Sequence, residues 1–483
     1  MSALYRRLVT LDFGPHTLVL TGLALYLGVA LLSLKFTIFW LPLAAIALPG
    51  LIYLGLKSFQ APFLMLLAVV VGSYMGNMLQ MVAGENIPFS LFQFFYILAL
   101  GVFLLGRTAS ANFRLYVTGI ELEILLFFTI VFLHATYTPD PEFALLFAGR
   151  MVFLSLLVYL ILNSIQSFRQ VAILFIAMIA VAVLLAILSV RDGLLNPEAA
   201  AFRFVMGHAD RIITRGRVAH NDPNVFATFF FLPISFLACL LVSDISKKLK
   251  LASAVVLLIM MLGLLSTFSR SALVSVVGML VLIGLIYRQY KLFALFFVLF
   301  IGAIIVVPAL REIFADVFMR VLSLITGDVD DSNRIRLILL SWSFRSFFEN
   351  YMIGQGFGSF RHEFSSDYDR FETIGVTDSH NEIGTILVEM GLIGLFFFSV
   401  LVFRILYNAW QNIGRSRTPL QKALSVSVFS TLVGFVAFYQ FIGGALVDNN
   451  LWMLVGFTFI LQILFQKQEE ASNVQARSKD SGP

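Results

Sequence analysis

Residues Val171 to Val190 read VAILFIAMIAVAVLLAILSV, an uncharged run bracketed by Arg169 and Arg191. As a helix this run rises about 30 Å, the thickness of a bilayer's hydrocarbon core. Backbone groups in lipid must pair within their own segment, so the run reads as a transmembrane helix. Similar blocks recur on both sides of it. Their apolar cores lie at about 17–33, 36–56, 61–83, 89–105, 118–136, 144–162, 171–190, 221–242, 251–267, 272–287, 292–308, 384–403, 423–441 and 451–466. The strand alternation of a membrane barrel is absent. The expected fold is all-α, a polytopic transmembrane bundle of about 12–14 spans with a long outer loop containing amphipathic helices.

Composition agrees. The chain is 59% hydrophobic and 13% charged, against about 45–50% and about 25% in soluble domains. The one cysteine, Cys239, lies in an apolar run, so a disulfide framework is excluded, and no Cys/His metal spacing occurs. The first apolar block is followed directly by others, which argues against a cleavable signal. Membrane lipids are expected partners and nucleic acid is not.

Flanking charges set the expected orientation. With the N-terminus inside, the inner segments carry eighteen basic residues, eight of them lysines, whereas the short outer loops carry almost none. An even number of spans places both termini inside. The basic residues left on the outer side are one lysine, Lys35, and fourteen arginines: Arg150, Arg270, five within 191–220 and seven within 309–380. Arginine presents a planar fork suited to bidentate phosphate or carboxylate binding, whereas lysine is a hydrated point charge. The division expected is N-terminal helices 1–190, an arginine-rich outer loop 191–220, core helices 221–308, a long outer loop 309–380, C-terminal helices 381–466 and a disordered tail 467–483. Within the long loop, 309–326 has the apolar spacing of an interfacial amphipathic helix. Residues 335–348, with Ile335, Ile338, Leu339, Trp342 and Phe347, repeat it less cleanly. Gly354, Gly356 and Gly358 read as a flexible turn.

Four features on the outer side carry chemistry. Arg215, Arg217 and His220 crowd before Asp222-Pro-Asn224, itself a helix-entry signal. Ser269-Arg270-Ser271 sets a charge between two spans, where an arginine needs a partner or water. Arg334 and Arg336 lie on the outer-loop helix. The acidic run beside them, Asp328, Asp330 and Asp331, lacks the glycine and closing glutamate of a calcium loop. Finally, His380-Asn381 opens a span with Glu389 nine residues on. Histidine is a natural base near neutrality, and a carboxylate at that depth is expected to be neutral or paired.

The run from His380-Asn381 through Glu389, Gly391 and Gly394 resembles the His-Asn…Glu-x-Gly-x-x-Gly signature of the O-antigen ligase and polymerase superfamily. Arg334…Trp342…Gly354-Gln-Gly356-Phe-Gly358-Ser-Phe360 is similar to that family's upstream stretch, Thr267-Phe-Ser-Arg270 to its Ser-Arg turn, and Asp222-Pro-Asn224 to its pre-span motif. The resemblance covers roughly residues 200–400. It implies a glycosyltransferase that moves a glycan from undecaprenyl diphosphate to an acceptor, a glycan or a lipid core, on the periplasmic face without metal, nucleotide or other cofactor. His380 would activate the acceptor hydroxyl. Arg270 and one of Arg215 or Arg217 would hold the diphosphate. Arg334, Arg336, His220, Asn381, Glu389 and Arg150 are the further candidates for binding substrate. Ligase and polymerase differ only in acceptor, which leaves that choice open. A transporter or flippase of a lipid-linked or anionic substrate is the competing reading, although the mid-span regions are mostly apolar and no internal repeat is evident.

Overall fold

The computed structural model describes residues 10–12, 61–76, 90–110, 114–191, 203–205, 212–214, 222–290, 331–367 and 379–480. In chain order these form β1 (Thr10–Asp12), α1 (Ala61–Met75), α2 (Leu91–Ser110), β2 (Arg114–Tyr116), α3 (Glu121–His134), α4 (Pro141–Ser164), α5 (Phe168–Val190), β3 (Arg203–Val205), β4 (Ile212–Thr214), α6 (Pro223–Thr228), α7 (Phe231–Val242), α8 (Lys247–Ser266), α9 (Arg270–Tyr287), α10 (Asp331–Glu349), α11 (Phe360–Asp367), α12 (Glu382–Arg415), α13 (Pro419–Tyr439) and α14 (Asn449–Asp480). Two short antiparallel ribbons, β1 with β2 and β3 with β4, are the only strands among the described residues. The expected spans 17–33, 36–56 and 292–308 and the expected helix 309–326 lie outside the described residues.

The protein is an all-α polytopic bundle. Among the described residues eight helical segments are long and apolar enough to cross a membrane, and Pro62–Met75 and Leu91–Arg107 are shorter apolar helices. The centre is built by α13, which packs on α7 and α9, and by α12, which packs on α3, α13 and α14. Small residues allow the close crossings: a Cβ at Gly263 would meet Ala186 at 2.5 Å, and one at Gly456 would meet Ile161 at 2.6 Å. The run 171–190 becomes α5, starting on the cap of Ser167, whose hydroxyl accepts from the Gln170 amide.

The sequence blocks differ from the helices in three places. The block 221–242 divides at Phe229–Phe230, because Pro233 has no amide to give the Phe229 carbonyl. The block 384–403 is the first part of a 34-residue helix whose backbone leaves helical geometry at Gly391. The tail from residue 467, expected to be disordered, continues α14 to Asp480. The apolar span supplies the costly nucleus and the polar extension propagates from it. Gln421 Nε2 donating to Gln468 Oε1 at 3.0 Å and Arg417 donating to Ser472 Oγ at 3.4 Å hold it to the α12–α13 turn.

The two ends of the bundle differ in character. At one end Lys422 lies over the Tyr287 ring at 4.7 Å, Lys467 over the Tyr116 ring at 4.1 Å, and Arg404 pairs with Glu123 at 2.9 Å. At the other end α4, α6, α9, α12 and α14 all begin. Each starts on a side-chain cap: Asp140 to the Phe143 amide at 3.1 Å, Asp222 to Asn224 at 2.6 Å, Ser269 to Ala272 at 3.4 Å, Asn381 to Gly384 at 2.7 Å, and Asp448 to Asn450 at 2.7 Å. Five positive helix ends therefore share one end of the molecule.

Candidate functional site

The chain enters α12 through Ser379-His380-Asn381. His380 has φ +51°, a left-handed conformation that a non-glycine residue adopts only when its surroundings impose it. Those surroundings are the loop from α13 to α14. Asn381 Nδ2 donates to the Gln440 carbonyl at 2.9 Å, and the buried Glu382 carboxylate accepts the Ala445 amide at 3.0 Å. His380 Nδ1 lies 3.3 Å from the Ile442 carbonyl. A carbonyl can only accept, so this bond requires the proton on Nδ1 and makes Nε2 the basic nitrogen.

The same loop gathers further polar groups. The Tyr439 hydroxyl donates to the Asp448 carboxylate. Asn450 Nδ2 donates to Thr228 Oγ1 at 3.2 Å, which joins the start of α14 to α6, and α6 packs on α9. Burial pushes the Asp448 carboxyl above the usual carboxylate range, while the Tyr439 hydroxyl, the Asn450 amide and the positive charge of Arg150 pull it back. Arg150 thus sits within electrostatic reach of the loop. It lies nine residues inside α4, in the span and not in a connecting loop, and its side chain is exposed.

Arg270 is the first residue of α9 and is half-buried. The turn before it is tight: Phe268 has φ +52°, and Ser269 donates its amide to Thr267 Oγ1 at 3.2 Å. Helices α9 and α13 run antiparallel, since Lys422 near the start of α13 meets Tyr287 at the end of α9. Further along, Gly434 leaves no room for a Cβ beside Met279. Nine residues back from Met279, about 13.5 Å along the axis, is Arg270, the first residue of α9; five residues on from Gly434, about 7.5 Å, α13 ends at Tyr439 and gives way to the loop of residues 440–448. Arg270 therefore lies at the end of the bundle where that loop holds His380, on an adjacent helix.

Glu389 and the three glycines have a different place. At Gly391 (φ +61°) α12 breaks, which orphans carbonyls before it and amides after it. The loop after α10 fills the break. Gln355 and Gly356 donate to the carbonyls of Val388 and Glu389 at 2.8 and 2.9 Å, and the amides of Leu392 and Ile393 donate to Tyr351 and Met352 at 2.9 and 3.2 Å. A Cβ on Gly354 would stand 2.5 Å from the Glu389 backbone, and one on Gly356 2.7 Å from that of Thr138. The stretch expected to be a flexible turn is a close-packed splice, and its glycines permit backbone contact. The buried Glu389 carboxylate accepts the Phe360 amide at 3.4 Å, at the start of α11. Trp342, Phe360, Phe364, Leu339 and Val388 form a small core that seats α10 and α11 on α12.

The candidates thus divide. His380, Asn381 and Arg270 lie at one end of the bundle, and Asp448 in the loop beside them feels the positive charge of Arg150. Glu389 is engaged in the splice. Arg336 is half-buried on α10; Arg334 is on the same helix, and its side chain, like Arg215, Arg217 and His220 altogether, lies outside the described residues. No group of three or more His, Cys, Asp or Glu side chains able to hold a metal occurs among the described residues.

Residues 255–399 match the family model described as O-Antigen ligase. The chain carries an O-antigen ligase family segment. That segment runs from within α8 through the first half of α12, just under a third of the chain, and includes Arg270, Arg334, Arg336, the splice glycines, His380 and Glu389. Arg150, Arg215, Arg217 and Asp222 lie outside it. No curated protein matches the chain. The residues that sequence reasoning missed are Glu382, Tyr439 and Asp448, all buried against the His380 turn. Their only sequence signal was an acidic residue in a short loop and two polar residues at helix ends. The segment that matches the O-antigen ligase model thus sits in a multi-pass membrane protein.

Proposed function

We propose that the protein transfers a glycan from undecaprenyl diphosphate to an acceptor sugar at the periplasmic face of the bacterial inner membrane. The observation that carries this reading is that His380 and Arg270 of the ligase-like segment lie together at the end of the bundle where five helices begin. A sugar diphosphate is already activated, so no covalent enzyme intermediate is needed. The acceptor hydroxyl attacks the anomeric carbon, its proton passes to His380 Nε2, and the bond from that carbon to the diphosphate oxygen breaks. The growing charge on the diphosphate is stabilised by Arg270, by one of Arg215 or Arg217, and by the positive helix ends. Arg150, Arg334, Arg336, His220 and Asn381 remain proposed contacts for the bound substrates. Glu389 is reassigned to holding the outer loop in place.

The test is glycan transfer in proteoliposomes by the wild type and by His380→Ala. Loss of a general base is expected to lower turnover by roughly 10²–10⁴-fold. Unchanged turnover in the folded variant would remove His380 from the chemistry. Within this reading a ligase and a polymerase differ in acceptor, and the same assay with a lipid-core acceptor or a second lipid-linked repeat separates them.

A further inference from the structure

Helix α10 has two apolar faces. Leu339 and Trp342 point into the small core on α12, with Ile335 and Ile338 packed beside them. On the opposite side Leu337, Phe344 and Phe348 fall within about 40° of one another at 100° per residue. They are 51%, 52% and 73% exposed. The stripe does not end with the helix. Tyr351, Met352 and Ile353 are also exposed, and the splice hydrogen-bonds this turn to Leu392 and Ile393 of α12. From there the membrane-spanning part of α12 carries exposed Leu392, Phe396 and Phe403 on its outer surface. The exposed apolar residues of α10 and its turn therefore lead onto the exposed apolar face of a helix long and apolar enough to cross a membrane, with Ser341, Arg345, Glu349, Asn350 and Ser399 as the exposed polar positions among them. A stripe of this kind in water would be a large uncompensated apolar patch, whereas its continuity with the span surface gives it an occupant.

We infer that the second face of α10 and the 351–353 turn are bedded in the bilayer, packed by phospholipid acyl chains. The outer loop is then a membrane-interface element and not a free periplasmic domain. Arg345 is exposed on the same helix at the edge of the stripe, and its long side chain can reach headgroups from there. The splice at Gly391 fixes the depth of α10, because its backbone bonds tie the end of that helix to one level of α12.

Nitroxide labels at Phe344→Cys, Phe348→Cys and Phe396→Cys in reconstituted full-length protein test this; Cys239 is buried and does not take label. A label at Arg361→Cys, an exposed polar position, is the aqueous reference. Expected is several-fold greater collision with oxygen than with a water-soluble nickel chelate at 344, 348 and 396, and the reverse at 361. Chelate access at 344 and 348 equal to that at 361 overturns the inference. So does spin coupling between copies, which would make a second chain the occupant, or loss of access to both reagents, which would mean that the chain covers itself. If the cysteine variants do not fold, Phe348→Trp provides a second route. Brominated acyl chains should then quench a larger share of fluorescence than in the parent with its four tryptophans, and an unchanged share overturns the inference equally.

Discussion

His380 holds a left-handed backbone that costs roughly 1–3 kcal/mol, and it does so at the position where the proposed chemistry needs a base. The anchors are on the facing loop: Gln440, Ile442 and Ala445 receive or give the bonds that fix the turn. Asp448 is the titrating member of that loop. Because burial raises its pKa, the folded protein keeps a proton that the unfolded chain releases near pH 3.9. The stability this proton contributes is complete below about pH 3.9 and is lost as pH climbs toward the raised folded value. Asp448→Asn cannot ionise, so its thermal unfolding midpoint in detergent should fall less than that of the wild type over the same rise in pH. Equal slopes would show that Asp448 is not the group responsible. His380 was legible in the sequence because its neighbours form a motif. Asp448, Tyr439 and Glu382 were not, because what makes them notable is mutual burial across more than fifty residues of chain.

At the scale of elements, the α12 break joins two motifs that look unrelated along the chain. Gly391 alone reads as a tolerated glycine in a helix, and Gly354 and Gly356 read as punctuation. Their meaning lies in a backbone contact that no periodicity encodes. Gly391→Ala forces a Cβ to 2.5 Å from the Met352 carbonyl carbon and oxygen at φ +61°. It should destabilise the protein by at least about 1–3 kcal/mol from backbone conformation alone, seen as a lower unfolding temperature. Glu389 gives a finer contrast. Glu389→Gln keeps an oxygen for the Phe360 amide and should remain near wild type. Glu389→Leu leaves that buried amide unpaired, at a cost of about 1–3 kcal/mol. If Glu389→Gln lost transfer activity with stability intact, the charge would be acting on substrate and the structural assignment would fail. Elsewhere the elements were easy to read. The run 171–190 is α5 within a few residues, and the four residues between two apolar blocks at 268–271 left no option but a tight turn.

For the whole molecule, the question is which end faces the cytoplasm. Lysines gather at the end where Lys422 and Lys467 cover aromatic rings, and the motif end holds arginine and the helix starts. Lysine and arginine flanking short loops mark the cytoplasmic side, and on that ground we propose that the α12–α13 turn and the end of α14 lie inside. The α14 extension makes this testable, because a helical tail presents defined positions where a disordered one would not. Val474→Cys is exposed on that extension, and Glu349→Cys is exposed at the end of α10. A membrane-impermeant maleimide should label the position-349 cysteine in intact spheroplasts and the position-474 cysteine only after permeabilisation. Labelling of 474 in intact spheroplasts would invert the molecule. His380 and Arg270 would then face the compartment where lipid-linked glycans are assembled, not the one where they are handed on. The proposed transfer would fail on orientation even with every side-chain contact intact, whereas the bilayer contact of α10 would survive, since acyl chains are alike in both leaflets.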